Sequence, residues 1–273
     1  MKLALNGATT MRADLLTDIE AARAAGFDCL EIWAAKLRKF LAGGGTTAGL
    51  KDAFDAAGVA PYSINSIEHV TFRDAIAHQR ILDECEELCR VAAEIGCPYV
   101  VVVPGLLPEG VGREGVVEES VRVLDEMARV AEAHGTGLAF EFLGQPRCSV
   151  QTLELADEIV SRVGRSDVGL VIDSFHFHAG GSTIESIDAL DAERLFIFHI
   201  NDAEDLPVAQ LEDRHRLLPG LGILPLGDIV AALRRIGYDR VTSVEIFRPE
   251  YWERDPAELA RAAKAAVERA ISY

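Results

Sequence analysis

Residues 169–178, GLVIDSFHFH, place a run of apolar side chains directly before a carboxylate. Gly169 to Ile172 carry apolar side chains or none, and Asp173 ends the run. Such a run is typical of a strand that is buried on both faces, as the strands of parallel sheets are. We therefore expect Asp173 to lie where a buried parallel strand meets its loop.

Three further apolar runs have the same form and carry one ionisable group near their C-terminal end. They are LAFEF with Glu141, LFIFH with His199 and VTSVEIF with Glu245. Strands that repeatedly deliver such a group at this end are typical of the mouth of a (β/α)8 barrel, where catalytic residues gather. The repeated pattern predicts an α/β protein of the TIM-barrel class.

Strand and helix patterns alternate along the whole chain, eight of each, without a linker or a low-complexity segment. This predicts a single TIM-barrel domain over residues 1–273, a normal length for the fold. An open doubly wound sheet is the alternative, but its glycine-rich phosphate loop is missing, since the first turn reads NGATTM. Ser182 and Glu185 predict a capping box for the sixth helix. The predicted strands are 3–6, 29–33, 61–67, 99–103, 138–143, 169–173, 195–200 and 241–247.

Charge and composition restrict the class of partner. The formal net charge of −17 argues against nucleic acid, because binding to phosphates depends on Lys and Arg. No run is long enough to span a bilayer and the start lacks the apolar segment of a signal peptide, so we expect no membrane partner. The five cysteines form no CxxC pair, which indicates reduced thiols and a cytoplasmic protein.

The four ionisable groups lie on consecutive predicted strands, five to eight, whose ends are neighbours around a barrel rim. We therefore expect Glu141, Asp173, His199 and Glu245 to converge. Each residue alone would also fit a helix cap or a satisfied core group. Together, however, the three acids would repel one another without a cation. Three carboxylates and one imidazole predict one divalent metal ion, such as Mn²⁺, Mg²⁺, Co²⁺ or Zn²⁺.

Other side chains are candidates for binding a substrate. His176, three residues beyond Asp173, is placed to reach a substrate oxygen or else to cap a neighbouring loop. Arg216 lies in the motif D-x-x-R-x-x-P-G-x-G, whose Pro-Gly turn aims it at the mouth, unless it is a solvated loop residue. Trp33 and Asn65 end strands two and three and suit contacts to a polyol ring, although packing explains them equally.

Long motifs resemble the xylose isomerase-like superfamily of metal-dependent sugar isomerases and epimerases, and within it the inosose isomerase family, over essentially the whole chain. The resemblance implies a TIM barrel, the same four metal ligands, and substrate contacts from His176 and Arg216. Two positions differ from what it leads us to expect, since Gly7 replaces an acidic residue and Trp33 an arginine. The motifs are NGATT (6–10), EFLGQPRCSV (141–150), VGLVIDSFHFHAGGSTIES (168–186), FHINDAED (198–205), RLLPGLG (216–222) and VEIFRPEYW (244–252).

The resemblance further implies isomerisation of a small polyol or ketose, with 2-keto-myo-inositol converted to 1-keto-D-chiro-inositol as the favoured reaction. A metal ion would polarise the carbonyl and stabilise the enediolate that forms on loss of the α proton. We expect Glu141 and Glu245 to exchange that proton as well as bind the ion. Epimerisation or isomerisation of another free ketose, and dehydration of the same inosose, are the alternatives.

Two functions from other classes share this fold. An abasic-site endonuclease needs further histidines for several zinc ions and a cationic groove, and the net charge opposes it. A sugar-binding barrel without catalysis is opposed by the retention of all four proposed ligands. The segment FRPEYW, residues 247–252, should wall the pocket or meet a partner subunit, which leaves a homo-oligomer open.

Overall fold

The computed structural model describes residues 1–272 and contains a closed barrel of eight parallel strands. Around the barrel the order is β1-β10-β7-β6-β5-β4-β3-β2, and the first strand, β1, closes the barrel by pairing with the last strand, β10. The predicted TIM barrel is therefore confirmed. The strands are β1 (Lys2–Asn6), β2 (Cys29–Trp33), β3 (Ala60–Ile67), β4 (Tyr99–Val102), β5 (Gly137–Glu141), β6 (Val168–Asp173), β7 (Leu195–Ile200), β8 (Asp202–Ala203), β9 (Arg216–Leu217) and β10 (Val241–Val244), of which β8 and β9 form a separate antiparallel pair.

Helices cover the outside of the barrel, but the predicted strict alternation of one strand with one helix is wrong in two places. Two helices follow β2 and two follow β6. Within residues 1–272, no helix is both long enough and apolar enough to cross a bilayer. The helices are α1 (Leu15–Ala25), α2 (Ala34–Ala42), α3 (Thr47–Ala57), α4 (Ala75–Ile95), α5 (Arg113–Glu132), α6 (Leu153–Val163), α7 (Ser174–Ala179), α8 (Ile184–Asp188), α9 (Leu226–Arg235) and α10 (Pro256–Ala270).

Side-chain caps begin most of these helices. Asp255 caps α10 by accepting a hydrogen bond from the backbone N–H of Glu258. The predicted capping box at Ser182 is wrong, because Thr183 caps α8 instead. The Ser182 hydroxyl accepts from the N–H of Leu153, 3.0 Å away, so it ties the start of α6 to the loop before α8.

Parallel register brings the predicted site residues to the same end of the barrel. Asp173 pairs with His199, which in turn pairs with Ser243, two residues before Glu245. Because side chains alternate along a strand, residues two apart face the same side. The interior below this level is apolar and contains Val101, Ala139, Val171 and Ile197. In β5, β6 and β7, an inward-facing apolar residue is thus followed two positions later by Glu141, Asp173 or His199.

Candidate metal centre and its pocket

Four buried side chains meet at the C-terminal end of the barrel. Their potential ligand atoms all lie within 4.8 Å of one another, and the residues are Glu141, Asp173, His199 and Glu245. His199 Nδ1 lies 3.0 Å from Glu141 Oε1 and 3.4 Å from Glu245 Oε2. The structure therefore brings together the four residues that sequence analysis singled out.

Buried charges on these groups shift their proton affinities. Burial raises the pKa of Glu141 to about 7, an effect that His199 opposes and the charge of Glu245 strengthens. Burial also lowers the pKa of His199, but carboxylates led by Glu245 and Glu31 outweigh it, so that pKa lies well above its usual value. Carboxylates packed this closely repel one another. The set of three carboxylates and one imidazole therefore fits a hard or borderline divalent cation.

Arg216 lies against this cluster and is not a solvated loop residue. Its side chain is 1% exposed, and its Nη1 donates to Asp173 Oδ2 at 2.7 Å and Glu245 Oε2 at 3.0 Å. The guanidinium carbon lies 5.0 Å from the ring centre of Phe175 and 5.1 Å from that of Phe247. Two carboxylates and two aromatic faces thus compensate the buried charge.

Loop residues also hold Arg216 in place, through the carboxylate of Asp213. Asp213 Oδ1 accepts from Arg216 Nη2 at 3.0 Å and from Nε at 3.2 Å. The other oxygen, Oδ2, accepts from Gln145 Nε2 at 2.6 Å. The loop after β5 and the loop that precedes β9 are thereby joined through one carboxylate.

His176 occupies the first turn of α7, next to Arg216. Its backbone N–H donates to Asp173 Oδ1 at 2.9 Å, and its ring Nε2 lies 3.0 Å from Arg216 Nη2. Because a guanidinium only donates, Nε2 is the acceptor and the proton of the neutral ring is on Nδ1. Burial, together with the charge of Arg216, lowers the pKa of His176 and keeps the ring neutral. Among residues 1–272, Nδ1 is buried and has no hydrogen-bond partner, so its proton is left unpaired.

Three asparagines orient the carboxylates of the cluster. Asn6 Nδ2 and Asn65 Nδ2 donate to Glu245 Oε1, at 3.1 and 2.7 Å. Asn201 Nδ2 donates to Asp173 Oδ2 at 2.7 Å. Asn65, predicted as a substrate contact, thus touches a proposed metal ligand as well as lining the pocket. Sequence analysis did not select Asn201, although its position directly after β7 is a signal of the same kind as the strand-end acids.

Glu31 is a fully buried carboxylate that sequence analysis also missed. Its Oε1 lies 3.0 Å from His199 Nε2, on the side of the ring away from Glu141. The sequence feature that could have identified Glu31 is its position as an acid in the middle of the apolar run CLEIW, residues 29–33. Glu31 lies two residues before the end of β2, whereas the predicted site residues lie at strand ends.

A cavity of about 380 Å³ opens over the cluster. It is large enough for a six-carbon ring compound, since small-molecule sites begin at about 300 Å³. Trp33 packs edge to face with Phe247, with their ring centres 5.5 Å apart, and forms one wall. Glu141, Glu245, His176 and Arg216 also line the cavity.

The chain belongs to the xylose isomerase-like TIM barrel family, which it matches over residues 19–270. Its similar proteins include the inosose isomerases of Bacillus velezensis and Bacillus subtilis, each 38% identical over 274 residues, which covers 100% of this chain and 98% of the relative. The crystal structure of IolI protein with a bound zinc atom has a TM-score of 0.96 at 38% identity, and covers 100% of this chain and 98% of that one. The resemblance seen in the motifs is thus confirmed.

Proposed function

We propose that this protein is a divalent-metal-dependent inosose isomerase that converts 2-keto-myo-inositol to 1-keto-D-chiro-inositol. The observation that carries the proposal is the buried cluster of three carboxylates and one imidazole beneath a cavity of sugar size. The full-length similarity to inosose isomerases supports the choice of substrate.

The charges around the cavity favour a neutral substrate. Glu68, Glu141, Asp213 and Glu245 line it, and Arg216 is already engaged by three carboxylates. Within the described part of the chain, the lining offers a phosphate or carboxylate no free Lys or Arg. A cyclic polyol ketone meets no such penalty, because its hydroxyls can donate to the surrounding carboxylates.

Glu141, Asp173, His199 and Glu245 would hold the metal ion, which supplies Lewis-acid polarisation of the substrate carbonyl when bound. We assign the proton transfers to Glu141 and Glu245, because both line the cavity and both lie close to His199. The Nδ1–H of His176 would bind a substrate oxygen. Arg216 would line the substrate site and hold His176 and the carboxylates around it, since its nitrogens already donate to them. Trp33 would cover one side of the ring, and Asn65 would hold Glu245 and contact a hydroxyl.

The thiols support an intracellular, reducing location. All five cysteines are free and buried, as expected for a protein that folds without disulfides. We therefore place the enzyme in the cytoplasm.

Hydrogen exchange in deuterated water tests the proposed function. Metal-loaded protein is mixed with 2-keto-myo-inositol in D₂O and followed by NMR. We expect deuterium at the exchanging carbon together with signals of 1-keto-D-chiro-inositol. An enone absorbance would indicate dehydration instead, and a bound ketose without any exchange would contradict catalysis.

A further inference from the structure

The two ring nitrogens of His199 face different carboxylates. Nδ1 faces the metal cluster, at 3.0 Å from Glu141 and 3.4 Å from Glu245. Nε2 lies 3.0 Å from Glu31 Oε1, which is not one of the four proposed ligands. A neutral imidazole that offers Nδ1 to a cation must carry its proton on Nε2. That proton requires an acceptor. Among residues 1–272, Nε2 makes no aligned hydrogen bond, and Glu31 Oε1, 3.0 Å away, is the carboxylate oxygen that a small rotation of the ring or of the carboxylate would bring into line.

Neighbouring side chains fix the position of the Glu31 carboxylate. It lies within β2, where it pairs in register with Ser63, and the Ser63 hydroxyl donates to its Oε2. Asn6 Nδ2 donates to Oε1 at 3.3 Å. The amide of Asn6 cannot turn away, because its own oxygen accepts from the N–H of Ala8 at 2.9 Å. A carboxylate with no exposed surface is costly unless it is paired, and His199 is the partner that the structure supplies.

Asn6 also connects Glu31 to the ligand set directly. The same Nδ2 that donates to Glu31 donates to Glu245 Oε1 at 3.1 Å. Glu31 therefore borders the cluster at two points, through the imidazole of His199 and through the amide that holds Glu245.

We propose that Glu31 is a positioning residue that fixes the tautomer and the ring orientation of His199, and thereby sets the affinity of the centre for its metal ion. The carboxylate holds the proton on Nε2 and leaves the Nδ1 lone pair directed at the cluster. It also raises the basicity of the ring as a ligand. This inference rests on the metal site of the proposed function and extends it to a residue that touches neither metal nor substrate.

Two variants separate positioning from packing. Glu31→Gln keeps the shape and an acceptor oxygen but loses the charge, whereas Glu31→Met keeps the approximate length without an acceptor. The dissociation constant for Zn²⁺ is measured by competition with a chromophoric chelator, and thermal unfolding of the metal-free protein is recorded alongside. We expect Glu31→Gln to weaken Zn²⁺ binding by about 10-fold and Glu31→Met by about 100-fold, the range found for outer partners of metal-bound histidines.

The matched control is Asp18→Asn, which removes another fully buried carboxylate. Asp18 Oδ2 pairs with Lys36 Nζ at 2.6 Å and belongs to neither the cluster nor its hydrogen bonds. This variant should lower thermal stability and leave the Zn²⁺ dissociation constant within about twofold of the parent. An equal loss of affinity in the control would overturn the proposal.

A tautomer-sensitive spectrum provides the second measurement. Long-range ¹H–¹⁵N correlations of the zinc-loaded protein should show His199 protonated on Nε2, and this pattern should be lost in Glu31→Met. An unchanged dissociation constant and an unchanged pattern in Glu31→Gln would overturn the proposal even if Glu31→Met does not fold. Isomerisation and Zn²⁺ binding by the parent protein would stand in that case, so failure of this inference is distinct from failure of the proposed function.

Discussion

Arg216 shows how a single side chain depends on its surroundings in this site. A guanidinium at 1% exposure would be strongly unfavourable alone, yet Asp173, Asp213 and Glu245 all lie within 3.0 Å of its nitrogens. Its planar fork contacts different partners with Nη1 and Nη2 at once. Lysine offers one point charge and cannot reproduce that geometry.

Arg216→Lys should therefore retain charge but lose activity. We expect kcat/KM to fall by about 10- to 100-fold, since a lost hydrogen bond to a charged group is worth about 1.5–3 kcal/mol. Arg214→Lys is the control, because Arg214 is 62% exposed in the same loop and pairs only at the surface with Glu212. Steady-state kinetics on the inosose provide the measurement. Equal activity of the two variants would contradict the role assigned to Arg216.

Glu141 and Glu245 are the residues whose chemistry we expect to be most sensitive to amide substitution. Glu141→Gln and Glu245→Gln each keep an oxygen for the metal but cannot exchange a proton. We expect each to lower kcat by at least about 100-fold, the low end of a general acid or base contribution. Glu250→Gln, at a position 70% exposed, should remain fully active.

Metal content decides how this pair of variants is interpreted. Each protein is assayed for turnover and for bound zinc by elemental analysis after reconstitution. Full turnover by Glu245→Gln with one ion per chain would remove Glu245 from the proton transfer. Loss of the ion would instead assign its main role to binding.

At the scale of elements, the small hairpin of β8 and β9 carries Arg216 to the site. Ala203 pairs with Arg216, and the carboxylate of Asp202 accepts from the backbone N–H groups of Gly220 and Leu224, each at 2.9 Å. One buried acid thus holds both ends of the loop that follows β9. The position of Arg216 depends on this loop as much as on the barrel.

Gly222→Ala tests that dependence. A Cβ at Gly222 would lie 2.1 Å from the carbonyl oxygen of Ala203 and 2.5 Å from Asp202 Oδ1, so the backbone must move. We expect a loss of about 1–3 kcal/mol in the free energy of unfolding, as for other overpacked sites, together with reduced activity. The control is Gly227→Ala in α9, where the added Cβ meets nothing within 4 Å. Denaturant unfolding and steady-state kinetics are measured for both variants. Parental stability and activity in Gly222→Ala would show that the loop adapts freely.

Local signals explain which elements the sequence predicted. The predicted bounds of β2 and β7 match the structure, because a largely apolar run defines each of these strands. Helix α2 was missed because it follows Trp33 without a loop residue between strand and helix. Strand eight was predicted to residue 247, but pairing ends at Val244, so Glu245 lies just beyond β10. Strand ends depend on the neighbouring strand and are poorly encoded locally.

At the scale of the whole molecule, four buried carboxylates lie together at one end of the barrel. The chain has a net charge of −17, and Glu31, Glu141, Asp173 and Glu245 are all at most 3% exposed at one end of the barrel. Arg216 and His199 offset part of this charge. A bound cation would offset more, so the metal ion should stabilise the whole fold.

Metal removal should therefore lower the thermal stability of the protein. A ligand at 100 times its dissociation constant stabilises the native state by about 2.7 kcal/mol. For a chain of this size, that corresponds to a rise in Tm of roughly 5–10 °C. Calorimetry of chelator-treated protein before and after addition of Zn²⁺ or Mn²⁺ measures the effect. A variant with Glu141 and Asp173 both changed to Ala should show no metal-dependent shift, and an equal shift there would place the ion elsewhere.

Sequence patterns were sufficient for the barrel and for the four residues of the cluster, because both follow from local order: apolar strands, each ending in one ionisable group. The surroundings of the cluster required the folded chain. Asn6 reaches Glu245 across 239 residues, and Glu31 reaches His199 from the opposite half of the barrel. Such contacts exist only after β1 closes on β10, since closure and register determine which inward-facing side chains share a level.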